Sequence, residues 1–233
     1  MELQEAKIII TGGSSGIGKA TAIALIKLGA KIVITGRNKD KLEKTAKEIG
    51  CYAVHANVSS EADVLQCYKE SLELMGGVNV LINNAGIGEM KALTDIELSD
   101  FQKTFEVNVY GAALMAREAA KIFKEQNHGN IINIASTAAQ KGFKGGTIYS
   151  ASKFALAAMT QCWQQELRPF NVRVMQINPS AVMTAFGNQD RIERKEEDNM
   201  LRAQEVAHCI EMALSMDNRG FIPEMSLWAS NPF

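Results

Sequence analysis

The stretch Lys7-Ile8-Ile9-Ile10-Thr11-Gly12-Gly13-Ser14-Ser15-Gly16-Ile17-Gly18 passes from an apolar β-type run through a glycine turn into a helical pattern that begins near Gly16. Glycine permits a tight turn and close backbone approach, and a helix that starts inside such a turn presents free N–H groups to phosphate oxygens. Two phosphate-binding readings compete. Gly13 to Lys19 nearly satisfies the G-x-x-x-x-G-K-[ST] loop that cradles nucleoside triphosphates. Position 20 is alanine, however, so the hydroxyl that would ligate Mg²⁺ is missing. No strand clearly ends in the Asp that would serve as a second magnesium partner. A dinucleotide fits better, because strand, glycine turn and helix are followed about twenty residues later by a second strand-like run, Lys31–Thr35. On this reading Gly12, Ser14, Ser15, Gly16, Ile17 and Gly18 form the cofactor loop.

An NAD-binding chain of this type would place Asp or Glu after that second strand, to accept hydrogen bonds from the ribose 2′-hydroxyl. Here the positions are Gly36, Arg37, Asn38 and Lys39. Loss of the carboxylate and gain of a guanidinium favour a 2′-phosphate, so NADP(H) is expected over NAD(H). Against this, no basic residue stands within the loop, where Ser15 occupies the natural place, and Arg37 alone could simply face solvent after a turn.

The same alternation continues along the chain. Apolar β-type runs at Tyr52–Ala56, Val78–Ile82, Asn130–Ile134 and Val172–Ile177 are separated by amphipathic patterns at Lys19–Leu28, Lys39–Ile49, Ala62–Met75, Ser99–Gln126 and Ser150–Leu167. Nearly continuous apolar strands suit a parallel sheet covered on both faces, and strand–helix alternation suits right-handed crossovers. The expected fold is therefore α/β, a doubly wound sheet of about seven parallel strands, the tail from Ile222 supplying the last. With no linker, repeat or low-complexity segment, residues 1–233 are expected to form one domain. The least regular stretch, Ala185 to Asn199, carries Arg191-Ile192-Glu193-Arg194-Lys195-Glu196-Glu197-Asp198. It reads either as a solvated loop or short helix, or as a lid, and 183–202 is the expected substrate-loop region.

Composition narrows the function. A formal net charge of -1 leaves no electrostatic footprint for nucleic acid or an anionic membrane. Cys51, Cys67, Cys162 and Cys209 are scattered without a C-x-x-C pair, and His55, His128 and His208 stand apart, so no metal site is expected. Met1 to Glu5 lacks the basic start and apolar stretch of a signal peptide, and no apolar segment reaches the roughly 18 residues of a membrane span. A cytoplasmic protein is expected.

The chemistry lies later in the chain. Tyr149 and Lys153 stand four residues apart, thirteen residues after Ser136. A phenol is a poor acid, with a reference pKa of about 10, and a Lys⁺ at i+4 on the same helix face favours its phenolate. A nearby hydroxyl would hold a carbonyl oxygen while the phenol gives or takes a proton.

Thr11-Gly12-x-x-x-Gly16-x-Gly18, Asn83-Asn84-Ala85-Gly86, Asn108 in Val107-Asn108-Val109-Tyr110-Gly111, Ser136, and Tyr149-x-x-x-Lys153 occur in that order. Together they closely resemble the short-chain dehydrogenase/reductase family in its one-domain, Rossmann-type form, from about residue 6 to the C-terminus. The resemblance implies that Tyr149 is the general acid/base and that Lys153 bonds the nicotinamide ribose and lowers the Tyr149 pKa. It implies that Ser136 donates to the substrate oxygen and that Asn108 holds a water linking Lys153 to solvent. Asn84, Ala85 and Gly86 would line the adenosine ribose side, Asn57 and Val58 would meet the adenine, and Pro179, Val182 and Thr184 would flank the nicotinamide. Ser136 and Tyr149 would also bind the substrate. Two positions depart from the family pattern: Ser180 follows Pro179 where Gly is usual, and Asn57 replaces a common Asp. The expected activity is reduction of a small-molecule carbonyl, or oxidation of the alcohol, by NADP(H). The rival is a catalytically silent NADP(H)-binding sensor. A homodimer or homotetramer joined through helices at 100–126 and 150–168 is implied by the family alone.

Overall fold

The computed structural model describes residues 1–187, 195 and 197–232, so that residues 188–194 and 196 of the expected substrate-loop region lie outside it. Seven strands form one sheet: β1 (Lys7–Thr11), β2 (Lys31–Gly36), β3 (Tyr52–His55), β4 (Val80–Asn83), β5 (Gly129–Ile134), β6 (Val172–Pro179) and β7 (Glu224–Leu227). All pair in parallel, in the order β3-β2-β1-β4-β5-β6-β7. The order reverses between β1 and β4, which is where an open α/β sheet leaves a crevice at the carboxyl ends of its strands.

Side-chain alternation along the strands separates two cores. Ile8, Ile10, Ile32, Ile34 and Ile82 pack with α1 (Gly16–Lys27), α2 (Lys39–Ile49) and Val206 and Ile210 of α7 (Ala203–Ser215). Ile9, Val33, Leu81 and Ile131 point the other way, onto α3 (Glu61–Met75) and α5 (Ala112–Gln126), where Tyr68, Met115 and Phe123 are buried. A sheet clothed on both faces in this way is doubly wound, as the apolar strands required.

Two features differ from the sequence expectation. The run Ser99–Gln126 is not one α-helix: α4 (Leu98–Phe105) and α5 are joined by a π-helical turn over Glu106–Gly111. Apolar periodicity does not register the one extra residue of a π turn, which often marks a functional position. Helix α7 was not anticipated. The remaining long helix, α6 (Thr147–Leu167), starts two residues before Tyr149 and so carries the Tyr149/Lys153 pair in its first two turns.

Candidate active site

The crevice is a cleft of about 1140 Å³ at the carboxyl ends of the strands. Every residue expected to bind cofactor or act in catalysis lines it, apart from Gly18 and Asn108.

One end is built from backbone. Gly12 and Gly16 adopt left-handed φ values of 65° and 53°, which favour glycine. Gly18 does not face the cleft because it forms the packing beneath the loop: a Cβ there would lie 2.6 Å from the Gly12 carbonyl oxygen. Asn84 ties the loop to β4, its Nδ2 donating to the carbonyls of Thr11 and Gly12 at 2.9 and 3.2 Å. The Thr11 hydroxyl accepts from the Asn84 and Ala85 amides. Ser15 precedes α1 without a side-chain capping bond, so the first-turn N–H groups remain available to an anion. Arg37 is exposed on the cleft wall, joined by Lys41, whose backbone N–H is capped by the Asn38 side chain at 2.9 Å. Asn57 is turned towards its own loop, accepting from the Ser59 amide. A dinucleotide suits this end: the loop is held open by positions where a side chain does not fit, beside unsatisfied helix N–H groups and two cations.

The other end carries the titratable groups. Ser136 follows β5 at the start of a short 3₁₀ turn, where its hydroxyl accepts from the Ala138 amide at 3.1 Å. Tyr149 is buried, and burial raises its pKa above the ordinary phenol value, while a hydrogen bond with Ser136 pulls the other way. Lys153 is only 4% exposed, and burial lowers its pKa to about 8. Its Nζ donates to the Ile134 carbonyl at 2.9 Å and lies 5.8 Å from the centre of the Tyr149 ring. The i+4 spacing therefore does bring the two side chains together. Within the protein alone, however, the charge of Lys153 does not bring the phenol below its usual range, because desolvation acts against both charged forms.

Asn108 is 1% exposed inside the π turn. Its Oδ1 accepts from the Ile87 amide at 2.9 Å, and its Nδ2 donates to the Ile87 carbonyl at 2.9 Å and to the Ser152 hydroxyl at 3.0 Å. Ser152 donates in turn to the Tyr149 carbonyl at 2.7 Å. Asn108 thus fixes the strand-end segment after β4 against the first turns of α6. Across the cleft, Thr184 lies against Gly16 and accepts from the Phe186 amide at 3.3 Å, while Val182 bridges to Leu201 and Pro179 ends β6.

Sequence reasoning missed Asn38 and Lys41 at the first end and Met90, Gln140, Phe143 and Trp228 at the second, while Phe186 falls within the expected substrate-loop region. The Asn38 cap preceding a helix was legible by pattern. The others stand on irregular segments with no period to reveal them. Among the described residues no cluster of His, Cys, Asp or Glu is arranged to hold a metal, and no helix is long and apolar enough to cross a membrane. All four cysteines are free, and burial raises the Cys51 and Cys67 thiols to about 11.

Comparison with known proteins agrees with this architecture. The family model described as short chain dehydrogenase matches residues 6–195. An uncharacterized oxidoreductase from a Staphylococcus aureus strain is 33% identical over 223 residues, covering 94% of this chain and 95% of the relative. Among solved structures, an alcohol dehydrogenase from the archaeon Thermococcus sibiricus complexed with 5-hydroxy-NADP superimposes with a TM-score of 0.89 at 28% identity, covering 97% of each chain. A 3-ketoacyl-(acyl-carrier-protein) reductase from Brucella melitensis complexed with NADH gives 0.86 at 30% identity, covering 97% of this chain and 98% of its own.

Proposed function

The chain belongs to the short-chain dehydrogenase family of oxidoreductases, and from that premise we propose that it transfers a hydride between NADP(H) and a small-molecule carbonyl or secondary alcohol, with Tyr149 as general acid/base. The observation that carries the proposal is the convergence of Ser136, Tyr149 and Lys153 in the same cleft as the glycine loop. When bound, the cofactor supplies the hydride chemistry through its nicotinamide ring. The Ser136 hydroxyl and Tyr149 phenol hold the carbonyl oxygen where negative charge develops, and Tyr149 delivers its proton. Burial keeps the phenol protonated at neutral pH, which suits an acid in the reductive direction. Lys153 keeps two N–H donors beyond the one given to Ile134, and these would bond the nicotinamide ribose hydroxyls of a bound cofactor. Asn108 acts as a positioning residue through Ile87 and Ser152, and its Oδ1 keeps a lone pair for the relay water.

Preference for the phosphorylated cofactor is supported by the absence of a carboxylate after β2 and by the presence of Arg37 and Lys41 on the cleft wall. Steady-state kinetics with both cofactors test it: kcat/KM should favour NADPH, and a preference for NADH would contradict it. Cofactor binding without turnover across ketones, aldehydes and acyl thioesters would instead support a silent sensor. Exposed Leu98, Tyr110 and Phe154 on the helices at 98–126 and 147–167 support a subunit contact in a homodimer or homotetramer. A monomeric mass at micromolar concentration would refute that part. Free, partly buried thiols are in keeping with a cytoplasmic location. One domain over 1–233, with 183–202 as its substrate loop, completes the reading.

A further inference from the structure

Beyond Ser136 and Tyr149 the cleft is lined by Met90, Phe143, Phe186 and Trp228, with Thr137, Gln140, Lys141 and Ser180 among them, and we propose that the substrate is a carbonyl compound bearing an extended apolar chain, whose tail lies along Phe186, Phe143 and Trp228. This inference rests on the hydride-transfer reading and narrows its substrate. The charged residues that line the cleft are Arg37, Lys41, Lys141 and Lys153, with no carboxylate among the described residues. Arg37 and Lys41 belong to the end beside β2, and Lys153 is held by Ile134. Only Lys141, exposed at the rim, remains on the substrate side. A sugar or hydroxy acid would need several fixed donors and acceptors there.

The polar side chain best placed to supply them is already engaged. Gln140 donates to the Glu224 carboxylate at 2.5 Å and accepts from the Ser226 hydroxyl at 3.2 Å, which clamps β7 against the segment after β5. That clamp holds the strand from which Trp228, one residue past β7, reaches the cleft that Phe143 also lines. Phe143 is seated over Gly146, where an added Cβ would meet its ring at 2.5 Å. Phe186 lies against Tyr149, ring centres 5.6 Å apart, and covers Gly88, where an added Cβ would come within 2.9 Å of its ring and 3.2 Å of the Met90 methyl. Apolar side chains thus line the cleft beside the phenol, at Phe186 and Met90, and again at Phe143 and Trp228. Trp228 is 67% and Phe143 48% exposed there, apolar area that a bound chain would remove from water.

The test is NADPH-dependent reduction of a homologous series from butanone to nonan-2-one, with hydroxyacetone as a hydrophilic comparison. The expected result is a kcat/KM that rises about two- to fourfold per added methylene and exceeds the hydroxyacetone value throughout. Trp228→Ala and Phe143→Ala should each raise KM for nonan-2-one at least fivefold more than for butanone, a differential that general damage to the fold would not produce. Turnover that is flat or falling with chain length, or a preference for hydroxyacetone, overturns this inference and leaves hydride transfer standing. Failure to turn over any carbonyl while NADPH binds overturns both.

Discussion

The glycine loop after β1 and the wall of Phe143, Phe186 and Trp228 face one cleft, the first specified by backbone and the second by side chains. At Gly12 and Gly18 an added Cβ would meet backbone atoms within 3.0 Å, whereas at Gly142 and Gly187, beside the substrate wall, nothing among the described residues lies within 4 Å. A nucleotide end built this way tolerates almost no change, because relief requires β1, β4 and α1 to move together. The substrate end can be re-specified by changing one exposed ring. The two meet at Lys153 and Tyr149, where the proposed proton transfer would take place.

Substitutions on either side of that divide should behave differently, and Lys153 should show the largest effect. Lys153→Met is expected to lower turnover at least a hundredfold and to weaken NADPH binding, because positioning of the ribose and the charge beside the phenol reside in one group. The same change should raise stability. A lysine whose folded-state pKa is about 8 against an ordinary 10.5 keeps its charge at neutral pH at a cost of roughly 3 kcal/mol. Loss of the bond to Ile134 offsets about 1 kcal/mol of the gain. The unfolded chain binds more protons than the native one between about pH 8 and 10.5, so the wild type gains stability as pH rises through that window. Denaturant melts should therefore show the variant about 2 kcal/mol more stable at pH 7, with the advantage shrinking by pH 10. An advantage that grew with pH would show that Lys153 is not strained by burial.

Gly18→Ala comes next. It should cost about 1–3 kcal/mol through overpacking and weaken NADPH binding at least tenfold, while Gly142→Ala should change stability by less than about 0.5 kcal/mol. Thermal melts and cofactor titrations on both would erase the contrast between the two ends if they gave equal losses. Arg37→Ala should have the smallest effect, about a tenfold loss of kcat/KM with NADPH and little change with NADH, since an exposed cation contributes modestly.

The contrast also explains what the sequence makes legible. Strand-glycine-helix order, the apolar strands and the capped helix at Lys39–Ile49 follow from local rules, and the structure reproduces them. Helix α7 left a readable signal, since Val206, Ala207, Ile210, Ala213 and Leu214 repeat at helical spacing and are buried. The π turn at Asn108 left none, because it depends on bonds to Ile87 and Ser152, both distant in sequence. Phe143 and Trp228 come to one cleft through strand order and the Gln140 clamp on β7, so no local pattern announces them, whereas Phe186 lies in the irregular stretch that is legible as a substrate loop. The Tyr149/Lys153 spacing predicts that the two side chains share one face of α6, and they do lie together in the cleft, but the direction of the phenol's pKa shift depends on burial, which spacing does not report.

The central claim, that Tyr149 donates the proton in NADPH-dependent carbonyl reduction, is tested most directly by single-turnover NADPH oxidation in Tyr149→Phe, with NADPH binding measured on the same sample by fluorescence titration. The account predicts hydride transfer slowed at least a hundredfold, with cofactor affinity within about threefold of wild type, since the ring and its packing against Phe186 remain. Near-normal hydride transfer in that variant would contradict it.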